Sequence, residues 1–480
     1  MKPLLAGLSV RLKRLLLGEP YRSVFEKTYG RHLLNLWRAE VGTFTPQIAE
    51  KLAEEANLST SYEELLGGAT VSFRGKTLTL PALGRYMEDP DRTVRFQAQS
   101  VKWQWVSKNA EKFDLLYSSL VKLRDGMARA LGFADFVDLA YLRMARTDFV
   151  PPLAARFREL VLKLIVPLAR KIKSIQKKQL AVEELFFWDE PLWYPQGNPA
   201  PRGGPAELLA EARLLFRKLD PQLSTLLSLM EEKHLLDLET RPGKSGGGFC
   251  SSLPRWGVPF VFANFNGTRG DVEVFTHEMG HAFAAWRSAA IEPLEYKSPT
   301  AEVCEIHSMG LEFLSWPHLE LFFSEQAERF RKLHLAKSIA FLPYCAAVDQ
   351  FQEEVYRHPG MEPADRLRLW RDLERRYLPW RSYGDLPALG EGRLWQTQRH
   401  IYLWPFYYLD YGLALTCALQ LWLIAREKPG EALRIYTDLC GRGGSAPAGE
   451  LVASVGIASP FEEKTLRRIA REAEAYLGIS

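Results

Sequence analysis

Apolar side chains recur every three to four positions along most of this chain, for example across Phe113–Leu131, Ala206–Leu219, Arg329–Leu342 and Glu462–Leu477. That spacing lines one face of a helix with nonpolar groups, so the pattern predicts helix after helix and a mainly α protein. Two stretches depart from it. Val71–Leu80 holds two short β-rich runs separated by Arg74-Gly75, and Val258–Phe265 is a β-branched and aromatic run closed by Asn266-Gly267; these are the only strands expected. Met1–Leu17 is interrupted by Arg11, Lys13 and Arg14, which leaves no clean apolar leader core and predicts an amphipathic helix. The most apolar window, Tyr411–Ala425, is short for a bilayer span and follows Asp410, so it predicts a buried core helix and no membrane association. Trp188–Pro205, with five prolines and three glycines, reads as a surface loop over which Trp193 and Tyr194 pack rather than meet a substrate. No Ser/Gly or charged linker divides the chain. Residues 1–150 read as an N-terminal helical region and 151–480 as one continuous body.

Composition narrows the classes of partner. The 480 residues carry 62 basic and 58 acidic side chains, a formal charge of +4, which is far from the basic excess that binding a phosphate backbone requires. No nucleic-acid partner is expected. Five scattered cysteines, with no CxxC pair, predict free thiols in a reducing cytoplasm rather than a disulfide framework or a cysteine metal site.

The chemistry concentrates in Asp271-Val-Glu-Val-Phe-Thr-His277-Glu278-Met-Gly-His281-Ala-Phe283, which contains HExxH. On a helix the two histidines lie one turn apart on one face and can share a tetrahedral zinc ion, and Asp271 stands where it would cap the helix start. Glu278 points beside the ion and is the natural base for a water that the metal makes more acidic. A catalytic zinc site needs a third protein ligand and one open position. Glu292, Glu295, Glu302, Glu305 and His307 follow at suitable distance; Glu302 and Glu305 open a second helical stretch, Thr300–Leu314, and chemistry alone leaves the two open.

HEMGHAF followed by Ala301-Glu-Val-Cys-Glu305-Ile-His-Ser-Met-Gly-Leu-Glu312 resembles the thimet oligopeptidase and oligoendopeptidase F family, in particular its Pz-peptidase-like branch. Val258-Pro-Phe-Val-Phe-Ala-Asn-Phe-Asn-Gly-Thr268 is similar to the strand before the metal helix in that branch, and Arg399-His400-Ile-Tyr-Leu-Trp-Pro-Phe-Tyr-Tyr-Leu-Asp-Tyr411 to its C-terminal His/Tyr segment. The resemblance implies a large, two-lobed helical metallopeptidase, with a small β element beside the HExxH helix and a deep channel for unstructured oligopeptides. Residues 1–150 would form part of the channel wall. It also implies that one Zn2+ is held by His277, His281 and Glu305, with Glu302 left in a supporting position. His400 with Tyr408 and Tyr411 would steady the oxyanion; Tyr407 shares a helical face with Tyr411, so the register of the tyrosines stays open. Tyr407, Phe262 and Asn264 are candidates for substrate binding, with strand Val258–Phe265 pairing with an extended peptide. The expected protein is a monomer or homodimer.

Other signals carry less. Gly243-Lys244-Ser245 resembles the end of a phosphate loop, but Leu238 stands where its first glycine is needed. The run Ser245-Gly-Gly-Gly-Phe-Cys250 reads as a plain flexible loop. Cys250 and Cys304 lack a histidine partner suited to a nucleophile. His32, His234, His318, His334 and His358 have no ligand spacing and read as surface or core residues. Two competing functions remain: a zinc-stabilised peptide-binding protein without hydrolysis, and a carboxypeptidase in which Arg399 or Lys244 receives the substrate's terminal carboxylate.

Overall fold

A computed structural model describes residues 2–241, 244 and 246–479. The glycine and serine of the Gly243-Lys244-Ser245 stretch lie outside the described residues. The periodic stretches are helices at Ala110–Ala130, Pro205–Leu219 and Glu463–Leu477, and Arg329–Leu342 is the middle of a 31-residue helix, Ala327–Arg357. The amphipathic N-terminus is a helix over Lys2–Leu16 with Leu5, Leu8, Leu12 and Leu15 exposed along one side. The apolar window lies in the helix Tyr408–Glu427, which is long and apolar enough to cross a membrane, yet 72% of that window is buried inside the fold. Trp188, Trp193 and Tyr194 are buried, so the proline-rich stretch contributes to the core as expected of its aromatics.

One core runs through the chain and crosses residue 150. Tyr62 stacks on Tyr402 at 3.9 Å, and Tyr117 packs on Trp395 at 4.9 Å. Two buried arginines of the N-terminal part reach the C-terminal His/Tyr segment. Arg124 donates to the Tyr402 carbonyl at 2.6 Å, and Arg146 donates to the Phe406 carbonyl at 3.0 Å and to Asp410 at 2.6 Å. Arg146 and Asp410 are both buried. Removing either would leave an uncompensated charge in the interior, so the pair fixes the entry to the helix Tyr408–Glu427.

The β structure is larger than the periodicity predicts. Strands β1 (Thr70–Phe73) and β2 (Lys76–Thr79) form the expected hairpin, and Arg74 and Gly75 both take positive φ, as a two-residue type I′ turn demands. Strands β3 (Leu236–Glu239) and β4 (Phe249–Leu253) were not expected. They flank β5 (Val258–Phe265) in the order β3-β5-β4, with β3 parallel and β4 antiparallel to it. Both edges of β5 are therefore occupied, and the predicted pairing of β5 with a peptide has no free backbone to use. The outer strands of this sheet are β3 and β4.

Candidate metal centre

The HExxH segment is the helix Arg269–Arg287, and Thr300–Leu314 is the helix Ala301–Leu314. Asp271 does not cap the first of these from outside. It sits in the first turn, and its carboxylate accepts from the backbone N–H groups of Asn266 at 3.0 Å and Gly267 at 2.7 Å, tying the turn after β5 to the helix. Val272, Phe275, Met279 and Phe283 bury one side, which leaves His277 and His281 on the side that faces a cleft. Gly280 sets how close the two helices come. A Cβ there would stand 2.4 Å from the His307 carbonyl oxygen and 2.7 Å from the Ser308 Cα, distances no side chain tolerates against backbone.

That close crossing brings the Glu305 carboxylate to both imidazoles. Glu305 Oε2 lies 3.2 Å from His277 Nε2 and 3.4 Å from His281 Nε2, and the two rings are turned 82° to each other. Atoms at zinc–ligand length around one tetrahedral ion stand about 3.3 Å apart, which both Glu305–imidazole separations match, and all three ligand atoms lie within 4.8 Å of one another, so this donor set suits zinc. Glu302 is also buried, but it faces a different cavity, walled by Phe149 and Leu413. His307 is buried in the wall of the metal cavity with its imidazole pushed down to about 3 by burial, so it stays neutral.

The ligands are held by a chain of hydrogen bonds that spacing did not reveal. Trp316 Nε1 donates to His334 Nδ1 at 3.1 Å. Since the indole can only donate, the His334 proton resides on Nε2, which donates to Glu312 Oε2 at 2.8 Å. The other Glu312 oxygen accepts from His277 Nδ1 at 2.7 Å. His277 thus keeps its proton on Nδ1 and offers the Nε2 lone pair to a metal. His334, taken from the sequence as surface or core, is buried in this chain. Glu305 is oriented likewise: Ser308 Oγ donates to Oε2 at 2.9 Å and the Tyr407 hydroxyl to Oε1 at 2.7 Å. Replacing Glu312 by alanine is expected to weaken zinc affinity about 10- to 100-fold. Competition with a fluorescent chelator measures this, and an unchanged affinity would show that the chain does not orient His277.

Glu278 lies beside the ligands, buried, with Oε2 free of any hydrogen-bond partner among the described residues. Burial raises its carboxyl above the usual range, partly offset by His277 and His281. Gly248 makes room for it, since a Cβ there would stand 2.9 Å from Val274 and 3.3 Å from Glu278 Oε1. The glycine run is therefore a close-approach element at this point, rather than a plain loop. Asn264 donates to the Gly247 carbonyl at 2.8 Å, and Phe262 stacks on Phe249 at 4.8 Å. Both support the wall that carries β4, and neither lines the metal cavity.

The tyrosines divide by position. Tyr407 and Tyr411 line the metal cavity, of about 360 Å³, whereas Tyr408 packs on Phe341 and Tyr344 outside it. Gln398 Nε2 donates to His400 Nδ1 at 3.0 Å and its Oε1 accepts from the Tyr344 hydroxyl at 3.0 Å. His400 is pushed down to about 4 by burial, so it is neutral with its proton on Nε2, 3.3 Å from the Tyr411 hydroxyl. Cys250 and Cys304 also line the cavity, but burial raises both thiols far above thiolate-forming values, which excludes a ready nucleophile. Lys244 is spent: its ammonium donates to the carbonyls of Asp237, Glu239 and Ala263 and cannot receive a terminal carboxylate.

The sequence pattern that defines Peptidase family M3 matches residues 226–471, which include every residue of the metal centre. The chain belongs to Peptidase family M3. The fold agrees: a solved structure titled Pz peptidase A with inhibitor 2 superposes with a TM-score of 0.98 and 40% identity, over 100% of this chain and 85% of that one. An oligoendopeptidase F homolog of Mycoplasma pneumoniae is 23% identical over 61% of this chain and 49% of its own length. Oligopeptidase PepF of Bacillus subtilis is 22% identical over 73% of this chain and 54% of its own. The chain thus spans about half the length of the curated relatives it matches. The mainly helical fold with small sheets expected from the family resemblance holds.

Proposed function

We propose that this chain is a zinc-dependent endopeptidase that hydrolyses internal bonds of short, unstructured oligopeptides. The observation that carries the reading is Glu278: a buried carboxylate with an unpartnered oxygen, next to two imidazoles and a carboxylate at tetrahedral spacing, in a cavity open to solvent. A structural metal has no use for such a base. One zinc ion held by His277, His281 and Glu305 supplies Lewis acidity toward a water molecule and a peptide carbonyl. Glu278 takes the proton of the attacking water and passes it to the leaving amine. His400 donates its Nε2–H to the Tyr411 hydroxyl oxygen, which leaves the phenolic O–H free to donate to the developing oxyanion. Tyr407 is committed to Glu305 and acts through it. The unpaired outer edge of β4, with Phe249, Cys250 and Ser252 on the cavity wall, offers main-chain hydrogen bonds to an extended peptide. The scattered free thiols suit a cytoplasmic location.

The test is cleavage of an internally quenched peptide blocked at both ends, with bound metal quantified. One zinc per chain, a cut at an internal bond, loss of activity with a chelator and its return with zinc are expected. Bound metal with no peptide cut would favour the binding-protein alternative. Cleavage confined to peptides with a free C-terminus, one residue at a time, would favour the carboxypeptidase.

A further inference from the structure

A second cavity, of about 500 Å³, has a lining separate from that of the metal cavity. Glu312 and His334 stand in its wall, and Phe341, also in the wall, packs its ring 6.5 Å from that of Tyr411. Four cations line this space: Lys173, Arg269, Lys337 and Arg381. Three are engaged. Arg381 makes two 3.0 Å hydrogen bonds to Glu190, Lys173 donates to Gln176 at 2.9 Å, and Arg269 is held by Glu273 and by Glu88 at 3.1 Å. Lys337 differs. Its nearest carboxylate is Glu273 at 3.9 Å, already taken by Arg269, and 46% of its side chain is exposed. The ammonium shares the cavity with three other cations, and Glu273, already held by Arg269, is the one carboxylate within 4 Å of it among the described residues.

Position gives this cation a purpose. Lys337 is one helical turn from His334 and one from Phe341 on the helix Ala327–Arg357. Phe341, one turn further along, packs its ring 6.5 Å from that of Tyr411, so Lys337 lies on the same helix beyond the residue that meets the metal cavity. We propose that Lys337 receives a carboxylate of the bound peptide, at a point removed from the bond that is cut. The proposal rests on reading the cleft as a peptide site. The carboxylate is that of the peptide C-terminus or of an acidic side chain, and the two sources separate experimentally.

The experiment measures binding of fluorescent N-acetylated peptides to the zinc-loaded Glu278→Gln protein, so that affinity is read without turnover. A free-acid peptide is expected to bind about tenfold more tightly than its C-terminal amide, a difference that Lys337→Met abolishes and Lys337→Arg keeps. If instead an amide carrying a single Asp binds more tightly than its Asn counterpart, with the same dependence on Lys337, the side chain is the source. Equal binding of all four peptides, or preferences that survive Lys337→Met, would overturn the assignment; circular dichroism of that variant checks its fold. Carboxylate-selective binding by a chain that cuts no peptide would end the endopeptidase reading and leave the role of Lys337 standing.

Discussion

Replacing Glu278 by glutamine is expected to lower cleavage by about 10²- to 10⁴-fold while leaving one zinc ion bound. Glutamine matches the shape of the carboxylate in the narrow space beside Gly248 but cannot accept a proton from water. The metal should remain because His277, His281 and Glu305 supply the ligand atoms and Glu278 does not. The helix should also remain, since a neutral amide is easier to bury than the carboxylate it replaces. Turnover of a quenched peptide and metal content, measured on one preparation, decide the matter. Activity within tenfold of the parent would mean that another group takes the proton, and loss of the metal would mean that Glu278 has a structural share in the site.

Gly280→Ala is expected to destabilise the fold by about 3 kcal/mol or more and to weaken zinc binding in the same protein. The added methyl would meet the backbone of His307 and Ser308, which cannot swing aside as a side chain could. The helices must part, and Glu305 lies on the helix that moves, two residues before His307. Gly430→Ala is the control: nothing stands within 4 Å of its Cβ, and its helix begins at Pro429. It should be neutral or slightly stabilising. Urea unfolding with zinc titration distinguishes the two, and an unchanged midpoint for Gly280→Ala would show that the crossing has slack.

The parts of the site that were legible in the sequence are those whose geometry is local. His277, Glu278 and His281 sit within five residues, and helical periodicity alone places them around one point. Glu305 was reachable only through family resemblance, because Glu302 has the same chemistry one turn earlier and the difference lies in which way the helix faces once packed. His334 was missed. It lies 57 residues beyond His277, and nothing in its neighbourhood signals that a distant carboxylate will join the two. β4 was missed for a related reason: Phe-Cys-Ser-Ser-Leu after three glycines reads as a loop, and its strand state comes from pairing with β5. That pairing, with β3 on the other side, also closed the strand that was expected to pair with the peptide. The three tyrosines could not be sorted by periodicity because Phe406, with φ of 67°, breaks the chain direction just before them.

The helix Ala327–Arg357 carries His334, which supports the metal through Glu312, and Tyr344, which supports His400 through Gln398. The two halves of the proposed chemistry, the ligands that would hold the ion and the groups that would meet the carbonyl oxygen, are thus referenced to a single rigid rod. A small slide of that rod detunes both at once, so neither half can drift while the other stays in register. For anyone redesigning this cleft, the spacing between ion and oxyanion is a property of one helix, and it can be adjusted from the back without touching a single residue that meets the substrate.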